Sequence, residues 1–435
     1  MLQVITLIKS IVQLMSSPIG IGFLSVLTCL CYYFYEKENN ALKTIIRIVY
    51  YTTFIYVFYF FVIRLNTRIN SFQVWDFTSF YLWGKVAAQG LNFYLPESSQ
   101  IVFNSLQLPA SNYEDFIEAI VNVGFLYPPP TMFYFFALGF MPFDFAFKVW
   151  VIFILLFLVA CIYLVYTEFL RTSGIKGVLL VLILFLIFPS VNFTIVCVQT
   201  NFIVLFYLLL LRKYADHKFA GILLALAFLT KPFMLIFGLL FLISKNWKAI
   251  IYFIGSSILL AVISVIAFGI ETFTSYFLNN ATQRLPIWQF SEDINQSLHA
   301  VLLRANLIAI DQPWVYIIIA TVILITTLIY LFYLQKKKQY DFIWAILLLV
   351  GLLIYPGTLS YYAVVLLFIT FQFFTPEKPL GLNLYLLTPV IGIFYYLNSV
   401  SVFASICFLL VIVLLKSFWQ LKQNDETSIG LSIAN

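Results

Sequence analysis

Residues 219–243 read FAGILLALAFLTKPFMLIFGLLFLI, an apolar run of 25 residues interrupted once, by Lys231-Pro232. About 20 apolar residues suffice to cross a bilayer as one helix, so length alone allows a single crossing. The flanks argue otherwise. Arg212, Lys213 and Lys218 precede the run, and Lys245 and Lys248 follow it. Basic residues mark cytoplasmic loops, so both ends belong on the same side. A hairpin satisfies both facts, with arms 219–230 and 232–243 turning at Lys231-Pro232, where proline breaks the hydrogen-bond ladder. Lys231 then lies inside the protein at membrane depth, where a lysine is rare and a functional candidate. A phosphate is its natural partner, met as a point charge. A single straight span, with Lys231 snorkelling to an interface, is the plainer alternative.

The whole chain shares this character. Of its 435 residues, 63% are hydrophobic, 19% aromatic and only 10% charged, against roughly half apolar and roughly 25% charged in a soluble domain. A soluble multidomain chain is excluded, and so is disorder, which needs charge and few aromatics. The net charge of +6 is dispersed between apolar runs and gives no nucleic-acid footprint. Cys29, Cys31, Cys161, Cys197 and Cys407 sit in apolar runs without a C-x-x-C pair, as small core or membrane-facing residues. Residues 1–15 lack a basic start and a cleavage site, so no removable signal is expected.

Further spans are expected at 19–35, 41–63, 144–167, 177–191, 194–211, 249–269, 313–334, 342–355, 361–374, 382–397 and 399–416, with a shorter run at 128–141 after Pro128-Pro129-Pro130. The expected fold is all-α and polytopic. Lys336-Lys337-Lys338 is the strongest cytoplasmic marker, and Lys416 and Lys422 join it. Working back, Arg171, Lys176, Lys43 and Arg47 also fall inside. The segments 64–127 and 270–312 and a turn at 355–361 fall outside. Any active site is therefore expected to face outward. With two histidines in the chain and no H-E-x-x-H, zinc spacing or phosphate loop, neither a metal nor a cofactor is expected.

Four features carry candidate chemistry. Asp76 lies in an aromatic helical stretch, 71–90, just after an external membrane exit. A carboxylate at such a place is costly without a partner or a function. It can cap a helix, pair with Arg64 or Arg68, or act as a general base toward a hydroxyl. Tyr127-Pro128-Pro129-Pro130 is stiff and extended before a helix start, either a simple helix entrance or a rigid cavity wall. Gln199-Thr200-Asn201 opens an apolar helix near the same face as Lys231. Arg284, Asn295-Gln296-Ser297, His299 and Arg304 share the second external loop, which is either solvated or hydrogen-bonds a sugar or phosphate.

Taken in order, these features resemble glycosyltransferase family 87, polyprenyl-phosphate-sugar-dependent enzymes of the GT-C class. Trp75-Asp76-Phe77 through Gly90 to Tyr94 is similar to the family's first-loop signature. Phe125-Leu126-Tyr127-Pro128-Pro129 resembles its F-x-Y-P-P motif. Val198-Gln199-Thr200-Asn201 resembles G-Q-x-N with valine in place of glycine. Ala220-Gly221 with Lys231-Pro232 resembles A-G … K-x-P, and Asn295-Gln296-Ser297 with Arg304 resembles N-Q-S … R. In the last external turn, where the family often carries S-W-x-H, this chain has Leu359-Ser360-Tyr361-Tyr362. The resemblance spans roughly residues 41–374.

What the resemblance implies is a GT-C-like bundle of about 11–13 transmembrane helices with short re-entrant pieces. An extra helical segment, 1–40, would precede the catalytic domain 41–418, and a cytoplasmic tail, 419–435, would follow. The implied activity moves a sugar, mannose-like as a first expectation, from a polyprenyl-phosphate donor to a hydroxyl of a glycolipid or glycan. It does so on the external face of the cell membrane, with inversion. Asp76 would be the base. Lys231, Arg284 and Arg304 would hold the donor phosphate. Tyr127, Gln199, Asn201, Asn295, Gln296, Ser297 and His299 would contact substrate. A transporter or flippase of an envelope lipid or polysaccharide precursor is the other function class. It would show polar residues along a path between the two faces, whereas a transferase would gather Asp76, Lys231 and the 284–304 loop at one external cavity.

Overall fold

The computed structural model describes residues 18–35, 40–69, 75–106, 120–278, 292–309, 312–373 and 401–433. Arg284 and the expected span 382–397 lie outside these residues. The described chain is helical and holds no strand, only one isolated antiparallel bridge between Asn295 and Leu359. It is an all-α polytopic membrane protein.

The first helices are α1 (Pro18–Phe34), α2 (Asn40–Ile69), α3 (Trp75–Ala88) and α4 (Pro96–Ser105). Short helical turns fill 129–140, started by the proline run. Next come α5 (Phe143–Val165), α6 (Gly174–Ile187), α7 (Pro189–Cys197) and α8 (Asn201–Lys213). Then follow α9 (Ala220–Thr230), a 3₁₀ turn at Pro232–Phe237 and α10 (Gly238–Ile243). The rest is α11 (Trp247–Phe268), α12 (Ile270–Leu278), α13 (Leu298–Arg304), α14 (Pro313–Lys336), α15 (Tyr340–Ile354), a 3₁₀ turn at Ser360–Val365, α16 (Leu366–Gln372) and α17 (Ser401–Ile433).

Among the described residues, five stretches are long and apolar enough to cross a membrane: Ala41–Thr67, Phe143–Ile187, Trp247–Phe268, Pro313–Lys336 and Val402–Lys422. Phe143–Ile187 is two helices, α5 and α6, joined by a π-helical turn at Tyr166–Leu170 and a 3₁₀ turn at Arg171–Ser173. Exposed Ile, Leu and Val side chains cover the outer faces of α5, α11 and α14, among them Ile152, Leu156, Ile258, Ile266, Val322 and Ile329. Such faces suit lipid, not water. Shorter apolar helices, including α9 and α15, fill the interior.

Residues 219–243 fold as a hairpin. A Cβ built on Gly238 would sit 3.8 Å from the Leu224 side chain, and Asn246 Nδ2 donates to the Ala215 carbonyl at 3.3 Å. A straight helix would put Ala215 and Asn246 over 40 Å apart at about 1.5 Å per residue. Proline forces the reversal: Lys231 is extended (φ −147°, ψ 115°), as residues before proline prefer. Asn246 also caps α11, accepting from the Ala249 amide at 3.1 Å. Gly221 lets α9 lie against α11, for a Cβ there would meet the Ala249 carbonyl oxygen at 2.0 Å.

The run 194–211 is not one helix. Residues up to Cys197 close α7, Val198 takes a left-handed conformation (φ 52°, ψ 42°), and α8 begins at Asn201. A β-branched residue seldom adopts that conformation, and the indole of Trp150 holds it by donating to the Val198 carbonyl at 2.8 Å. The break turns Gln199 inward, away from the helix ladder.

The bundle has two distinct ends. At one, Arg212 pairs with Asp341 at 2.7 Å and Lys213 with Glu168 at 2.8 Å, beside the base of the hairpin. α8 leads from there to the other end, a rise of about 20 Å for its thirteen residues. Asp76, Gln199 and the hairpin tip meet at that far end. The N-terminal pair α1 and α2 is docked on the bundle, with Tyr32 bonded to the Ser173 hydroxyl at 2.6 Å and Tyr50 donating to the Lys176 carbonyl at 2.9 Å.

Candidate active site

Helix α3 carries Asp76 in its first turn. The helix is seated by direct backbone contact. A Cβ on Gly84 would lie 2.3 Å from the Phe135 carbonyl oxygen, and one on Gly139 would lie 2.2 Å from the Gly84 carbonyl oxygen. Only glycine at both positions allows α3 and the 129–140 segment to touch in this way. Around that contact, Phe80 stacks on Phe135 with ring centres 4.3 Å apart, and Phe77 meets Phe147 edge-on at 5.1 Å. Aromatic packing thus fixes the floor beneath the carboxylate.

Asp76 is half-buried. Burial pushes its carboxyl above the usual carboxylate range. A hydrogen bond from Gln199, the charge of Lys231 and a hydrogen bond from Cys197 pull it back in that order. Gln199 is the main partner, and it is held in turn: its Nε2 reaches the Tyr361 hydroxyl at 3.3 Å. Asn201 donates to the Thr194 hydroxyl at 3.1 Å and to the Tyr361 carbonyl at 3.2 Å, locking α8 to the Ser360–Val365 turn. Gln199 and Asn201 therefore shape the carboxylate's surroundings.

Lys231 stands at the hairpin tip and is fully buried. Its Nζ donates to the Tyr362 hydroxyl at 2.8 Å and to the Tyr127 hydroxyl at 3.3 Å. It also lies 4.3 Å and 5.1 Å from the centres of those two rings. Tyr127 is presented by the proline run; Tyr94 donates to its carbonyl at 2.7 Å. Thr131 donates to the Leu229 carbonyl at 2.5 Å, clamping the proline-led segment to the hairpin tip. Lys231 and Asp76 feel each other electrostatically, yet no direct ion pair joins them among the described residues. The arrangement is one carboxylate and one ammonium, electrostatically coupled and separately held.

The 292–304 segment is built differently. Asn295 and Ser297 both donate to the Pro356 carbonyl, at 2.9 and 3.0 Å, and the Gln296 amide donates to the Thr358 carbonyl at 2.7 Å. Gln296 Oε1 accepts from the Val402 and Phe403 amides at 3.1 Å each. Arg304 donates to the Glu292 and Asn295 carbonyls at 2.8 Å each, and His299 packs its ring 4.7 Å from that of Tyr316. These side chains bind loop to turn to α17. They sit next to the Tyr361-Tyr362 turn and fix its position.

Asp76, Tyr127, Gln199 and Lys231, all candidates from the sequence, meet in the folded chain. Tyr361, Tyr362 and Cys197, which are not among those candidates, complete the cluster. The signal for the tyrosines was the Tyr355–Tyr361 turn, polar and aromatic between two apolar runs. No local pattern marks Cys197; only the left-handed break after it aims that end of α7 at Asp76.

The profile of glycosyltransferase family 87 matches residues 125–359, more than half of the chain. The match takes in Tyr127, Gln199, Lys231 and the 292–304 segment, while Asp76 lies ahead of it. No curated protein and no solved structure matches significantly. The span of the family match, on a polytopic helical chain, makes this protein a member of glycosyltransferase family 87 and a membrane glycosyltransferase.

Proposed function

We propose that the protein transfers a hexose, mannose-like as the first expectation, from a polyprenyl-phosphate donor to a hydroxyl of a glycolipid or glycan acceptor. The site would face the exterior of the cell membrane. The observation that carries this reading is the opposition of Asp76 and Lys231 at the end of the bundle remote from Arg212, Lys213, Lys218 and Lys245. Basic residues favour the cytoplasmic side, which supports an outward-facing site.

In the proposed reaction, Asp76 takes the proton from the acceptor hydroxyl as that oxygen attacks the anomeric carbon. The bond from that carbon to the phosphate oxygen breaks, the configuration inverts, and the electron pair leaves with the lipid phosphate. A base pushed above the ordinary carboxylate range by burial is better matched to that proton than an exposed aspartate. Lys231 would face the phosphate, whose charge grows as it leaves, so that its attraction is stronger in the transition state than before it. Tyr127 would line the donor site. Asn295, Gln296, Ser297, His299 and Arg304 would act by holding the turn that carries Tyr361 and Tyr362. The donor's hydrocarbon chain would remain in lipid beside the apolar outer faces.

Purified protein incubated with a panel of polyprenyl-phosphate sugars should release or transfer one of them. Absence of turnover with every polyprenyl-phosphate sugar, alongside turnover with a nucleotide sugar, would overturn the donor assignment. A transport role would need polar groups between the two ends, whereas α15, which joins them, is buried and apolar from Phe342 to Leu353.

A further inference from the structure

The geometry points to Tyr362 as a positioning residue for the donor phosphate: together with Tyr127 it keeps the Lys231 ammonium charged and aimed, and so acts on the leaving group through Lys231. This rests on the reading of Lys231 as the phosphate's partner.

A fully buried ammonium is costly unless something replaces water around it. An acidic side chain is the usual replacement, but a direct pair with Asp76 would engage the base and the cation together, and no such pair is present among the described residues. The two groups nearest Nζ are instead neutral. Tyr362 offers its hydroxyl at 2.8 Å and the face of its ring at 4.3 Å, and Tyr127 offers the same pair at 3.3 and 5.1 Å. Hydroxyl oxygens and ring faces both attract a cation without cancelling its charge. An ammonium has three N–H donors. Two go to the tyrosines, and the third has no acceptor among the described residues. It is available to a phosphate oxygen.

The placement of Tyr362 is itself determined. Its amide donates to the Leu359 carbonyl at 2.8 Å, and its ring lies 5.9 Å from Phe233, two residues beyond Lys231. Its neighbour Tyr361 reaches Gln199, the hydrogen-bond partner of Asp76. Consecutive residues of one 3₁₀ turn therefore serve the two halves of the site, Tyr361 the carboxylate and Tyr362 the ammonium. The Asn295–Ser297 clasp fixes the preceding turn, and through it the relation between base and cation.

The test is binding of polyprenyl phosphate, the lipid product, which requires no knowledge of the sugar. Affinity is followed by thermal shift on the full-length protein across the neutral and alkaline range, for wild type, Tyr362→Phe, Tyr127→Phe and Lys231→Met. The ionisable groups around Lys231 are Asp76 from α3, Tyr127 from the proline-led segment and Tyr362 from the 3₁₀ turn, with Tyr355 acting on both tyrosines and Tyr361 on Tyr362. Tyr362→Phe keeps the ring and deletes the shorter hydrogen bond. It should weaken binding by about 10-fold, the size expected for one hydrogen bond to a charged group. The pH above which binding fails should also fall, because Lys231 loses its proton more easily. Tyr127→Phe should move both quantities the same way by less, and keeps the proposal testable if the Tyr362 variant folds poorly. A purely structural tyrosine would not move the pH profile. Wild-type affinity and pH profile in both tyrosine variants, with weakened binding in Lys231→Met, would overturn this proposal and leave the reading of Lys231 intact. Wild-type binding in Lys231→Met would overturn that reading itself.

Discussion

The side-chain amide of Asn246 donates to the carbonyl of Ala215 at 3.3 Å, although 31 positions of sequence separate them. That one bond shuts the base of the α9–α10 hairpin and puts Lys231 at its tip. With 64–127 expected outside, Lys218 and Lys245 are predicted on one side of the membrane and Glu97 on the other. Single cysteines at these positions, on a cysteine-depleted background, should show it. An impermeant thiol reagent applied from one side should label 218 and 245 together or not at all, and 97 in the opposite case. Labelling of 218 and 245 from opposite sides would mean a single crossing.

The glycine contact beneath Asp76 gives a stability prediction. Gly84→Ala would drive a methyl group into the Phe135 carbonyl. Overpacking of that kind costs about 1–3 kcal/mol. The variant should melt at a lower temperature in detergent and lose activity, since α3 must shift and Asp76 with it. Gly255→Ala, which has open space around it, should do neither. Equal melting of the two variants would show that α3 is not seated by this contact.

A pH profile tests the environment of Asp76. In the proposed mechanism Asp76 works as a carboxylate, so the rate should fall as pH drops through its pKa. Because burial raises that pKa, the acid limb of kcat/KM should lie above the ordinary aspartate value of about 3.9. Gln199 favours the ionised form by hydrogen bonding to it. Gln199→Leu should therefore move the limb further up. A limb that stays in place, or moves down, would show that Gln199 does not bond the carboxylate in the working enzyme.

How much of this was legible in the sequence depends on what kind of interaction fixes each part. The long apolar crossings were legible, because apolar length decides them, whereas the expected span 361–374 is a 3₁₀ turn followed by the seven-residue α16. The hairpin was legible too, since the charges at Lys218 and Lys245 and the Lys231-Pro232 break contradict a single span. The split of 194–211 was not. Val198 is a poor residue for a left-handed turn, and its conformation depends on Trp150, 48 positions earlier. The family motif has glycine at that place, the residue such a conformation favours. Tyr362 was illegible as a partner of Lys231 because 131 positions separate them and no periodicity links a hairpin tip to a distant turn. Asn295, Gln296 and Ser297 looked like groups that bind a sugar, for their donors and acceptors are of the right kind. Only in the folded chain is it visible that Pro356, Thr358, Val402 and Phe403 already engage them.

The central claim is that Asp76 removes the acceptor's proton, and Asp76→Asn tests it most directly. The substitution keeps the shape and removes the base. Because burial disfavours the charge on Asp76, a neutral asparagine should fold at least as stably. The measurement is the rate of sugar transfer from the polyprenyl-phosphate donor, with melting temperature recorded on the same preparation. The account predicts a rate lower by about 100-fold or more, the usual size of general-base catalysis, at an unchanged or higher melting temperature. A folded Asp76→Asn variant that transfers sugar within a few-fold of wild type would contradict it.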